Sequence, residues 1–193
     1  MKARTKIILL IILVPLCGVL GLFAFNIYYG CHYVHQHCIK ITGILLGAYA
    51  DENKGQLPFS TNGFGNALLL LVENEPNEIR NICGPDDDGH IFLEALKNHS
   101  IVPEEKCSRV YVQGLSETND PGICILFDRN SCPGGDHFRS PWGHRVRELC
   151  LLHGNMQIIR DEDWPEFSRK QVELLVAAGF SRTNALHFYP AAK

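Results

Sequence analysis

The sequence lacks the short signatures of the common enzyme classes. There is no Gly-x-Ser-x-Gly elbow, no Gly-x-Gly-x-x-Gly turn, no phosphate-binding loop and no His-Glu-x-x-His. No catalytic residue is therefore assigned. An excess of positive charge is also missing: 18 Lys+Arg face 21 Asp+Glu, for a net charge of -3. That excludes nucleic-acid binding driven by overall charge. Internal repeats and low-complexity segments are absent, which excludes a solenoid. With 46% hydrophobic and 20% charged residues, the 193-residue chain has the composition of a folded domain rather than a disordered one.

Two features stand out in what is present. The first is an apolar run, Ile7 to Phe25, without a charge. As a helix it spans about 28 Å, close to a bilayer's hydrocarbon core. Asn26, Tyr28 and Tyr29 follow where an interfacial belt belongs, and Lys2, Arg4 and Lys6 precede it. This predicts a cytoplasmic stub (1–6), a transmembrane anchor (7–29) and an exported domain (30–193), with the lipid bilayer as a partner. Pro15 is tolerated in such a helix. A cleaved signal peptide is the competing reading, although Leu22 before Ala24 makes a poor cleavage site.

The second feature is eight cysteines, seven of them beyond the apolar run. In an oxidising compartment these read first as disulfides. Cys31 and Cys38 lie two helical turns apart, about 10.5 Å, too far to bridge. Cys83 with Cys107 is the first expected pair, and Cys124 with Cys132 or Cys150 the next.

Val34, Cys38, Ile41, Leu45 and Ala48 form an apolar stripe at helical spacing. The helix should end near Gly55, with Pro58 beyond. Shorter helices are expected at 64–73 and 89–98, the second capped by Asp88. Strand character begins at Arg109. It includes Ile123–Phe127 and a hairpin made by 146–152 and 156–159 around His153-Gly154-Asn155. Asp163, Pro165 and Glu166 mark the start of a last helix, with a capping box, and Gly179 its end.

Three side-chain groups invite chemistry. Cys31-His32-x-x-His35-x-His37-Cys38 offers soft ligands for Zn²⁺ or Cu, and Cys31, His35 and Cys38 share a helix face. The structural alternative is a polar segment with Cys38 in the core stripe. Asp86-Asp87-Asp88-Gly89 fails as a calcium loop, because Gly84 and Ala95 stand where acids are needed. Asp128, Asp136, His137, His144 and His153 fall near strand ends and could line a metal or acid–base site, or simply serve turns and surface.

Residues Cys38 to Pro58, ending in Tyr49-Ala50-Asp51-Glu52-Asn53-x-Gly55-x-Leu57-Pro58, resemble the helix end of bacterial type II secretion pseudopilin-like and type IV pilin-like proteins. Asp128, Gly135-Asp136-His137, Arg147-Glu148-Leu149 and His153-Gly154 look similar to the later part of that family. The chain would be an atypical member, because no Gly–Glu pair brackets the start of the apolar run. The resemblance implies an α+β, pilin-like fold: a long N-terminal helix with a membrane-spanning first half, packed on a small four-stranded antiparallel sheet, with short helices and a C-terminal helix. It implies a structural or interaction protein of the bacterial inner membrane, single-pass, with a cytoplasmic N-terminus. Its partners would be other pilin-like subunits or secretion components, and it needs no cofactor. The alternative function is an envelope metal-binding module built on Cys31, His32, His35 and Cys38.

Overall fold

The computed structural model describes the backbone of residues 3–74, 76–84, 89–133 and 145–190. Side chains are described for 13–25, 39–74, 76–84, 89–131 and 145–190. The chain divides into two compact units, Met1–Val34 and His35–Lys193.

The described part of the first unit, 3–34, belongs to helix α1, Ala3–Glu52. Its described side chains are exposed and mostly apolar. Leu16, Val19, Leu20, Leu22 and Phe23 each show more than half of their surface. Among the described residues, however, no helix is long and apolar enough to cross a membrane. The expected anchor at 7–29 is corrected accordingly. So are the membrane-spanning first half of the fold and the single-pass inner-membrane placement that depended on it.

The second unit is α+β. After α1 come α2 (Phe64–Leu69), a 3₁₀ turn (Pro76–Glu78), α3 (Ile79–Ile82), α4 (Gly89–Asn98) and a second 3₁₀ turn (Glu104–Lys106). The strands are β1 (Arg109–Tyr111), β2 (Cys124–Asp128), β3 (Cys132–Pro133), β4 (Arg145–Leu151) and β5 (Met156–Arg160). Helices α5 (Trp164–Ala177) and α6 (Arg182–Phe188) close the chain. All strand pairs are antiparallel. A four-strand path runs β1-β2-β4-β3, and β5 pairs with β4 off that path. Leu149 pairs with Phe127 on one edge and Gln157 on the other. β4 is thus the hydrogen-bonded centre.

Every residue of β2 is buried, because both faces of the sheet are covered. Strand alternation sorts the side chains. Arg109, Asp128, Glu148 and Cys150 belong to the face under the C-terminal half of α1. There Arg109 Nη1 donates to Thr42 Oγ1 at 3.2 Å. Phe127, Arg147 and Leu149 belong to the opposite face. Phe127 stacks on Tyr189 at 4.9 Å and meets Trp164 at 5.1 Å. A one-residue slip would exchange these sets and bury the charges against α5, so the register is tightly specified.

The buried face of α1 is Ile39, Thr42, Leu46 and Ala50. The stripe read from sequence is rotated from it: Ile41 and Leu45 are half-buried and Ala48 is exposed. The displacement has a physical cause. Thr42 is the polar centre of the interface, donating to Asn81 O and accepting from Arg109. Gly43 lets the helix approach β4, since a Cβ there would lie 2.8 Å from Cys150 Sγ. Neither residue counts as apolar in a periodicity.

The end of α1 follows the sequence reading. Lys54 and Gly55 are left-handed, and Gly55 N donates to Ala50 O at 2.8 Å. Gly179 ends α5 in the same way, with Phe180 N donating to Leu175 O at 3.0 Å. The start of α5 differs: Asp163 is already helical and makes no side-chain capping bond. Its N–H donates to Arg160 O instead, because the β5 turn leads directly into the helix. Asp88, the expected cap of α4, lies outside the described residues.

No disulfide joins the pairs expected from sequence. Cys83 and Cys107 carry thiols that donate to their own local carbonyls, Ile79 O at 3.1 Å and Pro103 O at 3.6 Å. Cys124 and Cys150 are likewise buried thiols. Cys31, Cys38 and Cys132 have side chains outside the described residues.

Candidate functional site: an arginine–aromatic cleft

Residues on the α5 face of the sheet open into a cleft of about 310 Å³. Phe64, Val110, Phe127, Trp164 and Phe188 line it, and all five are buried. Each aromatic arrives by local structure. Trp164 is the first residue of α5, directly after the β5 turn, and Phe188 is the last residue of α6. Helix α6 begins where Ser181 caps it by accepting from Asn184 N at 3.1 Å.

Two guanidinium groups enter this apolar space. Arg147 lies over the Trp164 ring, 4.7 Å from its centroid, an attractive cation–π geometry. Its Nη1 donates to Asp128 O and Arg129 O, and its Nη2 pairs with Asp161 at 3.3 Å. Arg129 lies 5.9 Å from the Phe64 ring centre. Its Nε donates to Cys107 O at 2.8 Å and its Nη2 to Glu104 O at 2.6 Å. Glu104 is occupied at both oxygens. Oε1 accepts from Phe64 N at 2.7 Å, and Oε2 meets His187 Nε2 at 2.9 Å.

The opposite face of the sheet holds a buried ionic group. Arg109 and Asp128 are each about 1% exposed and meet at 3.6 Å. Asp128 Oδ2 also accepts from Glu148 N at 3.2 Å. This group ties α1, α3 and the sheet together, because Arg109 reaches both Thr42 and Asn81 O.

Burial sets the state of the nearby thiols and phenols. It pushes the Cys150 thiol up to about 11, with the Arg109 charge pulling the other way. Cys124 is raised further by the same cause. Tyr111 and Tyr189 are raised well above the ordinary phenol value by burial. All four are neutral hydrogen-bond donors near neutral pH. Tyr111 Oη donates to Pro58 O at 3.0 Å and Tyr189 Oη to Cys124 O at 2.7 Å.

The residues singled out by sequence do not converge. Asp128 is buried under α1 with Arg109. His153 sits exposed in the β4–β5 turn, beyond the other end of β4, with Nε2 3.2 Å from Glu117 O. Asp86, Asp87, Asp136, His137 and His144 lie outside the described residues, as do the side chains of Cys31, His32, His35, His37 and Cys38. Among the described residues no group of three His, Cys, Asp or Glu could hold a metal ion. Sequence reading missed Arg129, Arg147 and Trp164. A partial signal existed in the two-residue spacing of Arg147 and Leu149, which places an arginine on the face that buries a leucine.

No family model, curated protein or solved structure matches this chain.

Proposed function

We propose that this chain is a non-catalytic structural subunit, pilin-like in plan, that assembles with further copies or related subunits through the N-terminal part of α1. The observation that carries this reading is the uncovered apolar surface of residues 13–25. Leu13, Leu16, Leu20 and Phe23 follow one another at spacings of three, four and three, and are 46%, 53%, 58% and 66% exposed. That spacing is the seam of helices that pack side by side. Val14, Val19, Leu22 and Phe25 expose the other sides, so one neighbour would not cover the helix. Surfaces of this kind mark interaction sites.

The second unit supports the same reading. The later half of α1 lies on an antiparallel sheet, held there by Gly43 and Thr42, which leaves the N-terminal part of the helix as the surface for assembly. The cleft adds a recognition surface whose polar groups are held by backbone carbonyls and by one another.

Cys17 offers a direct test, being exposed inside the apolar segment. A short bis-maleimide reagent should link full-length chains through Cys17, and Cys17→Ser should abolish that species. Absence of Cys17-linked species at concentrations where the reagent labels Cys17 would contradict the proposal.

A further inference from the structure

In the second unit, the C-terminal part of α1 is apolar on two opposite sides. The inner face, Ile39, Thr42, Leu46 and Ala50, is buried. The face turned away from it is Ile41, Ile44, Leu45 and Ala48. Ile44 is 61% exposed and Ala48 is exposed. From Ile39 to Ala50 the only charged residue is Lys40. A helix that buries one face ordinarily carries polar residues on the other, and apolar residues on every side mark a helix that is covered. Leu70 and Leu71 widen the patch, lining with Leu45 and Ala48 a recess of about 280 Å³.

Gly47 flanks this outer face, one turn from Ile44. A Cβ there would meet nothing within 4 Å, so the single chain has no packing need for glycine. Glycine inside a helix is destabilising relative to alanine, and close approach of a second backbone is what it permits.

The outer face also keeps count with the apolar segment of the first unit. Counted in sevens, Leu13, Leu20, Ile41 and Ala48 take one position, and Leu16, Phe23 and Ile44 another. In the sequence Ile27 and Val34 continue the first position and Gly30 the second, with His37 the polar exception. A repeat of seven is the pattern of helices wound about one another, whereas a straight helix drifts by about 20° per heptad. β-Branched Ile27, Val34 and Ile41 at the first position favour two parallel strands. In-register pairing sets each of these residues beside its own counterpart, which makes the partner a second copy.

We infer that the outer face of α1 in the second unit, Ile41, Ile44, Leu45 and Ala48, packs in parallel and in register on the same face of a second copy. This rests on assembly through the N-terminal part of α1 and extends it onto the second unit.

Full-length chains carrying Ala48→Cys in a Cys17→Ser background are treated with a short bis-maleimide, beside the parent chain. Ala48 is exposed, so the fold should be retained. The expected result is a link between position 48 of two chains, located by mass spectrometry in a mixture of isotopically heavy and light chains. Linkage through Cys17 in the parent, without linkage through position 48 where the reagent labels it, overturns this inference and leaves assembly through the N-terminal part standing. Absence of both overturns both. Ile44→Lys supplies a second measurement. A charge placed in an apolar contact should weaken self-association in sedimentation equilibrium by at least about tenfold. Unchanged association of a folded Ile44→Lys chain overturns the inference.

Discussion

Gly43 is the residue at which helix and sheet come closest. Alanine there would place a Cβ 2.8 Å from Cys150 Sγ, inside a packed interface. Gly43→Ala should therefore cost about 1–3 kcal/mol in urea denaturation, despite the better helix propensity of alanine. Pairing it with Cys150→Ala should give a double variant more stable than the sum of the two losses predicts, since each change relieves the other. Strict additivity would mean that the approach of α1 to β4 is looser than described. On the same face, Arg109→Met should cost about 3–5 kcal/mol, because Asp128 would stay buried without its guanidinium. A loss below about 1 kcal/mol would show that Asp128 takes up a proton or reaches water when Arg109 is removed. The α1 side of this interface explains why the helix stripe was misjudged from sequence. Thr42 and Gly43 hold the interface, and neither registers as hydrophobic. Asp128 was legible only as an acid near a strand end. Its role depends on Arg109, nineteen residues earlier in the chain, and on register that no local pattern encodes.

At the scale of elements, the sheet is held to its helices by a few side chains aimed at backbone groups. Gln171 on α5 accepts from Cys124 N at 2.8 Å and donates to Gly122 O at 3.0 Å. Gln171→Leu would leave a buried amide unpaired, a loss of about 1–3 kcal/mol. Hydrogen exchange at Cys124 should accelerate more than at Leu126, which keeps its place in the ladder. Equal acceleration at both positions would point to global loosening instead. Elements with their own periodicity or punctuation were readable in advance: the helix end at Gly55, helix 89–98, the β4–β5 hairpin and the end of α5 at Gly179. Strand β3 was not, because two residues carry no period. The cleft was hidden for another reason. Its residues come from α2, β1, β2, β4, α5 and α6, from the residues flanking them, and from the 3₁₀ turn at Glu104, so only the assembled fold brings them together.

At the scale of the whole molecule, pH should act through buried acids that are neutral in the fold. Cys150 ionises near 11 when folded, against an ordinary value of 9.0. The folded state then holds a proton that the unfolded chain releases. Its contribution to stability is complete below about 9 and is lost as pH rises towards about 11. Cys124, Tyr111 and Tyr189 are shifted in the same direction. The urea midpoint should fall on the alkaline side, and Cys150→Ala should reduce that fall. A profile that is flat through this range would contradict the burial of these groups.

Assembly through α1 is the claim on which the functional reading rests. The most direct measurement is sedimentation equilibrium of the full-length chain beside the Leu20→Asp/Phe23→Asp variant. Both substituted residues are exposed, so the second unit should keep its fold, as circular dichroism can verify. The parent chain is predicted to associate with rising concentration, and the variant to remain monomeric. A parent chain that stays monomeric throughout, or a variant that associates equally well, would contradict the account.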